Sequence, residues 1–129
     1  MRRLAVYLVV LIALCLCSAC SKSPQEKRAA YLKSAQEYVS QQKLAEASIQ
    51  YQNALKIAPD DVETLIKLGD VELRLNRFKE AYNAYLRASK ADPKNIKALT
   101  NLASIYLLAH DYAEMTKPAN AILAIDKNN

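Results

Sequence analysis

The sequence has very little glycine, histidine or tryptophan. Its 129 residues include one Gly, one His, four Pro and no Trp. A single Gly is too few for a glycine-rich phosphate loop or a series of tight hairpin turns, so nucleotide-binding folds and β-meanders are disfavoured. Apolar residues make up 52% of the chain and charges of both signs are interspersed, which argues against disorder. The composition therefore predicts one small helical domain.

Residues that catalyse reactions or bind metals are also scarce. The three cysteines, Cys15, Cys17 and Cys20, all lie close to the N-terminus, so the chain beyond Cys20 has no disulfide framework and no thiol nucleophile. The one histidine, His110, has no second histidine and no nearby cysteine with which to form a metal site or a catalytic pair. We therefore expect no enzymatic activity, no metal site and no cofactor.

The chain is basic overall, with 18 Lys and Arg against 13 Asp and Glu. Arg2 and Arg3 contribute part of this excess at the N-terminus. Further along, basic residues alternate with acidic ones, as at Lys43 and Glu46, and form no positive stripe of the kind that binds phosphate backbones. The charge pattern therefore predicts no nucleic-acid partner.

The N-terminal segment, residues 1–19, has the three parts of a secretory signal peptide. Arg2 and Arg3 precede an apolar run over residues 4–17, and the small residues Ser18 and Ala19 follow it. A membrane-spanning helix needs about 20 apolar residues, and this run is shorter. We therefore predict a signal peptide over residues 1–19, and export of the remainder.

The residues around Cys20 resemble the bacterial lipobox, in which two small residues precede a cysteine that is diacylated and becomes the new N-terminus. Ser18 and Ala19 match, whereas Cys17 stands where the lipobox usually has Leu. The resemblance implies lipidation of Cys20, and Ser21 in place of Asp favours an outer-membrane lipoprotein facing the periplasm over retention at the inner membrane. An uncleaved anchor helix and plain cleavage after Ala19 stay open as alternatives. Residues 20–27 are predicted to be the lipidated cysteine and a polar tether.

The rest of the chain is an internal repeat, with a period of about 34 residues. Small, aromatic and proline positions return in register, and they divide the chain into units 28–61, 62–95 and 96–129. Within a unit the small and aromatic positions follow i, i+4, i+7 spacing, which places them on one face of a helix where small residues let a neighbouring helix approach. The repeated residues are Ala47, Tyr51, Ala54 and Pro59, then Ala81, Tyr85, Ala88 and Pro93.

On these residues the chain resembles the tetratricopeptide repeat (TPR) family. The resemblance implies an all-α fold: an α-solenoid of three antiparallel helix pairs, or TPR-like superhelix, after the signal peptide. Gly69, the only glycine, occupies the family's small-residue place and is interpreted as a packing position rather than a hinge. The pattern predicts helices near residues 27–40, 44–57, 61–74, 78–91, 95–108 and 112–125.

The third unit diverges in its second half. Pro118 falls inside the predicted last helix, which is expected to be weakened or to start late. No polar capping helix follows, although stacked repeats usually need one. Two explanations stay open: the chain is the front of a longer array, or Ile122, Leu123 and Ile125 bind a partner or a second copy of the chain.

The resemblance also implies a site. In the TPR family the first helices of the units line a concave groove that holds an extended peptide or a partner helix. Of the carboxylate clamp of chaperone-binding members only Lys97 is matched here, so that clamp is not expected. The groove positions in this sequence are Leu32, Lys33, Gln36, Glu63, Ile66, Lys67, Asp70, Lys97, Asn101 and Ser104.

Taken together, these patterns predict a non-catalytic interaction scaffold that is held at the bacterial envelope by Cys20 and serves assembly or secretion. Among these roles, resemblance to TPR lipoproteins favours polysaccharide export. The alternative is the anchoring N-terminal part of a longer TPR protein whose downstream domain is enzymatic or secretory.

Overall fold

The computed structural model describes residues 22–127. This part of the chain forms six α-helices and contains no strand, and none of these helices is long and apolar enough to cross a bilayer. The predicted signal peptide and Cys20 lie outside the described residues. The helices are α1 Pro24–Ser40, α2 Leu44–Ile57, α3 Val62–Arg74, α4 Phe78–Ala91, α5 Ile96–Leu108 and α6 Tyr112–Asp126.

The helices pack as three hairpins stacked in chain order. The most extensive contacts join α1 to α2, α3 to α4 and α5 to α6, and the next join α2 to α3 and α4 to α5. Helix α3 also contacts α5 directly. We call α1, α3 and α5 the A helices, α2, α4 and α6 the B helices, and the loop within each hairpin the AB turn. The predicted α-solenoid of three helix pairs is confirmed.

Helix α1 begins earlier than the sequence analysis predicts. The Ser23 hydroxyl accepts the amide of Glu26, the Glu26 carboxylate accepts the amide of Ser23, and Pro24 occupies the first turn. This capping box satisfies backbone donors that would otherwise be open, so the helix starts at Pro24. The assignment of residues 24–27 to a tether is therefore wrong, because they form the first helical turn.

The three AB turns explain how the fold needs so little glycine. Gln42, Asn76 and His110 have φ angles of 60°, 58° and 56°, in the left-handed region, and they occupy the same position in successive repeats. Glycine usually occupies such a position after a helix because it has no Cβ. Here the repeat architecture holds three other residues in that conformation, and the helix boundaries on either side of each turn are those predicted.

The last helix also differs from its prediction. Helix α6 begins at Tyr112, where the Asp111 carboxylate accepts the amide of Glu114, and it continues through Pro118 to Asp126. A proline has no N–H, so the carbonyl of Glu114 lacks its usual helical donor. Pro118 is nevertheless buried. Packing of α6 against α5 therefore outweighs the local cost of the proline, and the expected late start is wrong.

The repeated small and aromatic residues form the core. The alanines and tyrosines of both motifs are buried, whereas Pro59 and Pro93 lie exposed between hairpins. Gly69 faces Tyr85 so closely that an added Cβ would lie 2.7 Å from Cζ and 2.8 Å from Cδ1 of that ring. The interpretation of Gly69 as a packing position is therefore supported by its surroundings.

Asp61 ties the first two hairpins together and gives a prediction about pH. Its carboxylate accepts the amide and the hydroxyl of Thr64 at the start of α3, and Oδ2 lies 2.8 Å from Arg28 Nη2 on α1. Burial raises the pKa of Asp61, but the hydrogen bonds from Thr64 and Arg28 outweigh it and hold the pKa below its usual value. A lowered folded-state pKa stabilises the fold above the unfolded pKa of about 3.9, and this contribution is lost as the pH falls through the folded-state pKa.

We therefore expect Asp61→Asn, which keeps a good cap but removes the charge, to lower the free energy of unfolding by about 0.5–1.5 kcal/mol at pH 7. The difference from the wild type should shrink at pH 3. Urea denaturation at both pH values measures it, with the exposed neighbour Asp60→Asn as the control. An Asp61→Asn deficit that is as large at pH 3 as at pH 7 would contradict the electrostatic explanation.

Candidate protein-binding groove

The A helices line an open groove whose middle is a cleft of about 310 Å³. We call it the central cleft. Four of its residues come from α3, in the middle of the stack, and the others come from α1, α2 and α5. The lining residues are Gln36, Val39, Tyr51, Lys67, Asp70, Val71, Arg74 and Lys97.

Two further clefts adjoin the central cleft. One, of about 380 Å³, shares Lys67 and Lys97 with it and runs to the start of α3 and α5. The other, of about 670 Å³, shares Gln36 with it and follows α1. Because the clefts share residues, they form one groove that crosses all three hairpins. The remaining lining residues are Val62, Glu63, Ile66 and Asn95 in the first, and Ala29, Leu32, Lys33, Glu37 and Ser40 in the second.

Asp70 organises the polar side of the groove. Its Oδ1 accepts the Tyr85 hydroxyl at 2.7 Å and the Asn101 amide at 3.2 Å, and its Oδ2 lies 3.9 Å from Lys97 Nζ. Burial and the hydrogen bond to Asp70 raise the pKa of Tyr85, so the phenol stays protonated and remains a donor. One carboxylate thus joins α3, α4 and α5 and positions the groove residues of the third hairpin.

The cations of the central cleft differ in how they are paired. Lys67 Nζ lies 2.7 Å from Glu63 Oε1, and this hydrogen bond raises the pKa of Lys67. Arg74 Nη2 donates to the neutral Gln42 Oε1 at 2.6 Å, which leaves its charge uncompensated by that contact. Lys97 is 65% exposed. With three cations and one carboxylate in its lining, the central cleft is positive.

The predicted groove residues fall into three groups. Those on α1, together with Glu63, Lys67, Asp70 and Lys97, line the groove. Ile66 also borders it but is only 5% exposed and belongs to the core. Asn101 acts through Asp70, and the Ser104 hydroxyl donates to the carbonyl of Thr100 in its own helix. Neither Asn101 nor Ser104 is among the lining residues of the clefts described above.

In the central cleft, sequence reasoning missed four lining residues: Val39, Tyr51, Val71 and Arg74. The last two could have been found, because Val71 and Arg74 follow Lys67 at i+4 and i+7 on the same helix face. Tyr51 was assigned to packing alone, yet it is both buried in the core and part of the cleft wall.

The side chains of the groove are of types that bind polypeptides. Among residues 22–127 no group of three or more His, Cys, Asp or Glu side chains is placed to hold a metal ion. The available groups are ammonium, guanidinium, amide and carboxylate side chains around aliphatic and aromatic surface. Such a surface can form hydrogen bonds and ion pairs with a polypeptide segment.

Comparisons with known proteins agree with this architecture. The peroxisomal targeting signal receptor of Saccharomyces cerevisiae is 34% identical over 65 residues, which are 50% of this chain and 11% of the receptor. The crystal structure of MamA superposes with a TM-score of 0.73 at 19% identity, covering 80% of this chain and 56% of that one. The TPR2B domain of yeast Sti1, in complex with pHsp70, superposes with a TM-score of 0.70 at 22% identity, covering 79% and 82%.

Family models give the assignment. A TPR repeat model matches residues 35–75, and tetratricopeptide repeat models match residues 62–95 and 84–116. Together the matches extend over residues 35–116, which is more than half of the chain. The chain therefore belongs to the tetratricopeptide repeat family.

Proposed function

We propose that this protein is a non-catalytic scaffold that is anchored to the bacterial envelope through lipidated Cys20 and holds a segment of a periplasmic protein in its groove. The role we favour is assembly or secretion at the outer membrane, with polysaccharide export as the preferred pathway on the resemblance to envelope TPR lipoproteins. The signal-like N-terminus supports the anchor, and the groove supports the binding role. The Sti1 neighbour, solved in complex with pHsp70, illustrates protein binding by this fold.

The observation that carries the proposal is the continuity of the groove across the three hairpins. Half-buried Val39 supplies apolar surface at its centre beside the buried Tyr51 and Val71, and Lys67, Arg74 and Lys97 surround them with donors. A segment lying across this surface would meet side chains of all three A helices, so its affinity would come from many modest contacts rather than one.

One experiment in intact cells tests both parts. A photoreactive amino acid replaces Lys97 in the groove of the full-length chain, and the same chain is made with Cys20→Ser. We expect a discrete crosslinked adduct from position 97 that is lost when Lys67→Glu and Arg74→Glu reverse the charge of the central cleft. We expect Cys20→Ser to abolish labelling by palmitate and to move the protein from the membrane to the soluble fraction.

Matched controls separate the two parts. The photoreactive residue placed instead at Lys90, which is exposed on α4, should give no such adduct, and Cys17→Ser should leave palmitate labelling intact. Unchanged membrane association and labelling in Cys20→Ser would exclude this cysteine as the anchor. Adducts that are equal from positions 97 and 90, or insensitive to charge reversal, would exclude the groove as the binding surface.

A further inference from the structure

The AB turns of the first two hairpins meet in a closed junction. Leu44 at the start of α2 and Leu75 after α3 are half-buried and pack against the core. Beside them, Arg74 donates to Gln42 at 2.6 Å across the two hairpins. Apolar packing and a hydrogen bond together cover this end of the junction.

The corresponding junction between the second and third hairpins is open. One repeat further on, the equivalent positions of Leu44, Leu75 and Arg74 are occupied by Phe78, Ala109 and Leu108, respectively. Ala109 has no side chain beyond its Cβ to cover the phenyl ring, and a leucine cannot form the hydrogen bond of the arginine. Phe78 is 51% exposed and Leu108 is 61% exposed.

The result is an exposed apolar cleft outside the groove. A cleft of about 340 Å³, which we call the turn-end cleft, is lined by Phe78, Ile105, Leu108 and Ala109. All four are apolar, and none of them lines the central cleft. At the closed junction a leucine of the chain itself covers the corresponding apolar surface. At the open junction that surface is exposed, and it can receive a side chain from a partner.

The surroundings of the turn-end cleft indicate the charge of that partner. Arg77 and Lys79 flank Phe78 in the chain; the Arg77 side chain is 48% exposed at 3.4 Å from Glu72, and within the described part of the chain Lys79 forms no ion pair. The acidic residue of the adjoining turn, Asp111, is engaged by the amide of Glu114. A carboxylate next to the inserted side chain would therefore meet the Lys79 ammonium, beside the half-exposed Arg77 guanidinium that already pairs with Glu72.

We propose that the turn-end cleft receives one large apolar side chain from another protein, in a segment that carries an acidic residue beside it. A second copy of this chain fits less well for two reasons. A stable dimer needs about 800 Å² on each partner, more than a four-residue cleft supplies. A symmetric contact would also bring Arg77 and Lys79 against their own copies.

Ala109→Leu tests the proposal without endangering the fold. It installs the side chain that Leu75 contributes at the closed junction, and the two residues have nearly the same backbone angles, φ −81° and ψ −1° against φ −84° and ψ 2°. The leucine should fill the cleft while the melting temperature stays equal or rises. With the melting temperature so maintained, a loss of binding in this variant would not come from unfolding.

The probe is a phage-displayed library of random dodecapeptides, selected on the full-length chain in lipid nanodiscs. We expect clones that bind at least tenfold more weakly to Ala109→Leu and that share Leu, Ile, Met or Phe next to Asp or Glu. The change Lys79→Glu, at a side chain that forms no ion pair among the described residues, should weaken the same clones. Lys97→Glu, in the groove, should leave them unaffected.

These comparisons distinguish binding at the turn-end cleft from binding in the groove. Clones lost on Lys97→Glu but retained on Ala109→Leu report the groove and its proposed function, whatever happens at the turn-end cleft. The proposal is overturned if no clone distinguishes the wild type from Ala109→Leu, or if the clones that do so lack acidic residues. Concentration-dependent dimerisation that Ala109→Leu abolishes would overturn it in favour of a second copy.

Discussion

Gly69→Ala is expected to destabilise the protein by about 1–2 kcal/mol, although the same change at an unobstructed helix position stabilises by about 0.5–1 kcal/mol. The reason is the Tyr85 ring, which occupies the space of the new methyl group. The ring cannot move away freely, because its hydroxyl is bonded to Asp70 and the residue is only 1% exposed. Urea denaturation of the two proteins measures the difference.

The control for this prediction is the same change made without the ring. In a Tyr85→Ala background the new methyl group has open space. In that background the protein with alanine at position 69 should be at least as stable as the protein with glycine there. A double-mutant cycle over positions 69 and 85 isolates the clash. If Gly69→Ala has the same effect in both backgrounds, contact with Tyr85 is not what requires glycine.

Ser48→Ala is expected to lower the free energy of unfolding by about 2–3 kcal/mol, a large effect for the loss of one hydroxyl. The Ser48 hydroxyl donates to Glu72 Oε1, and both residues are buried between α2 and α3. Among the described residues, the other oxygen of Glu72 has only the 3.4 Å contact with Arg77. Without Ser48 the buried carboxylate loses its best donor. Thermal and urea denaturation both report the loss.

Two variants serve as controls for this prediction. Ser89→Ala removes a hydroxyl that donates only to the backbone carbonyl of Leu86 and should cost less than about 1 kcal/mol. Ser48→Ala combined with Glu72→Met replaces both partners by apolar groups of similar shape and should recover most of the stability. A double variant that is less stable than Ser48→Ala alone would contradict the explanation that an unpaired carboxylate causes the loss.

The sequence repeat predicted the fold closely because the repeated positions include those that start the helices and those that let them pack. Asp61 and Asn95 cap α3 and α5 through side-chain hydrogen bonds, and the predicted helices 61–74 and 95–108 begin at these residues, one position before the observed starts. Ser23 and Glu26 have the same chemistry, but they lie before the first repeat, where no second copy of the pattern drew attention to them. The missed first turn of α1 therefore reflects reliance on periodicity.

The polar contacts between hairpins were not predictable in this way. The buried pair Ser48 and Glu72 has its counterpart one repeat later in Tyr82 and Tyr106, whose hydroxyls lie 3.3 Å apart. The geometry repeats while the residue types do not, so comparing repeats for identity misses both pairs. Hydrogen bonding to Tyr82 and burial raise the pKa of Tyr106 to about 12, so this second contact stays uncharged where the first contains a carboxylate.

If Cys20 carries the lipid anchor proposed above, the early start of α1 limits how far the solenoid can stand from the bilayer. Between Cys20 and the helix at Pro24 only three residues intervene, and even fully extended they and the cysteine reach about 14 Å. With the cysteine acylated, the first hairpin would rest within one or two lipid headgroup layers of the surface. Helix α1 is 17 residues long, about 25 Å, and its AB turn lies at the end away from that attachment. The protein would then bind partners that lie close to the membrane surface. Inserting residues into the linker between Cys20 and α1 would change which partners it can reach.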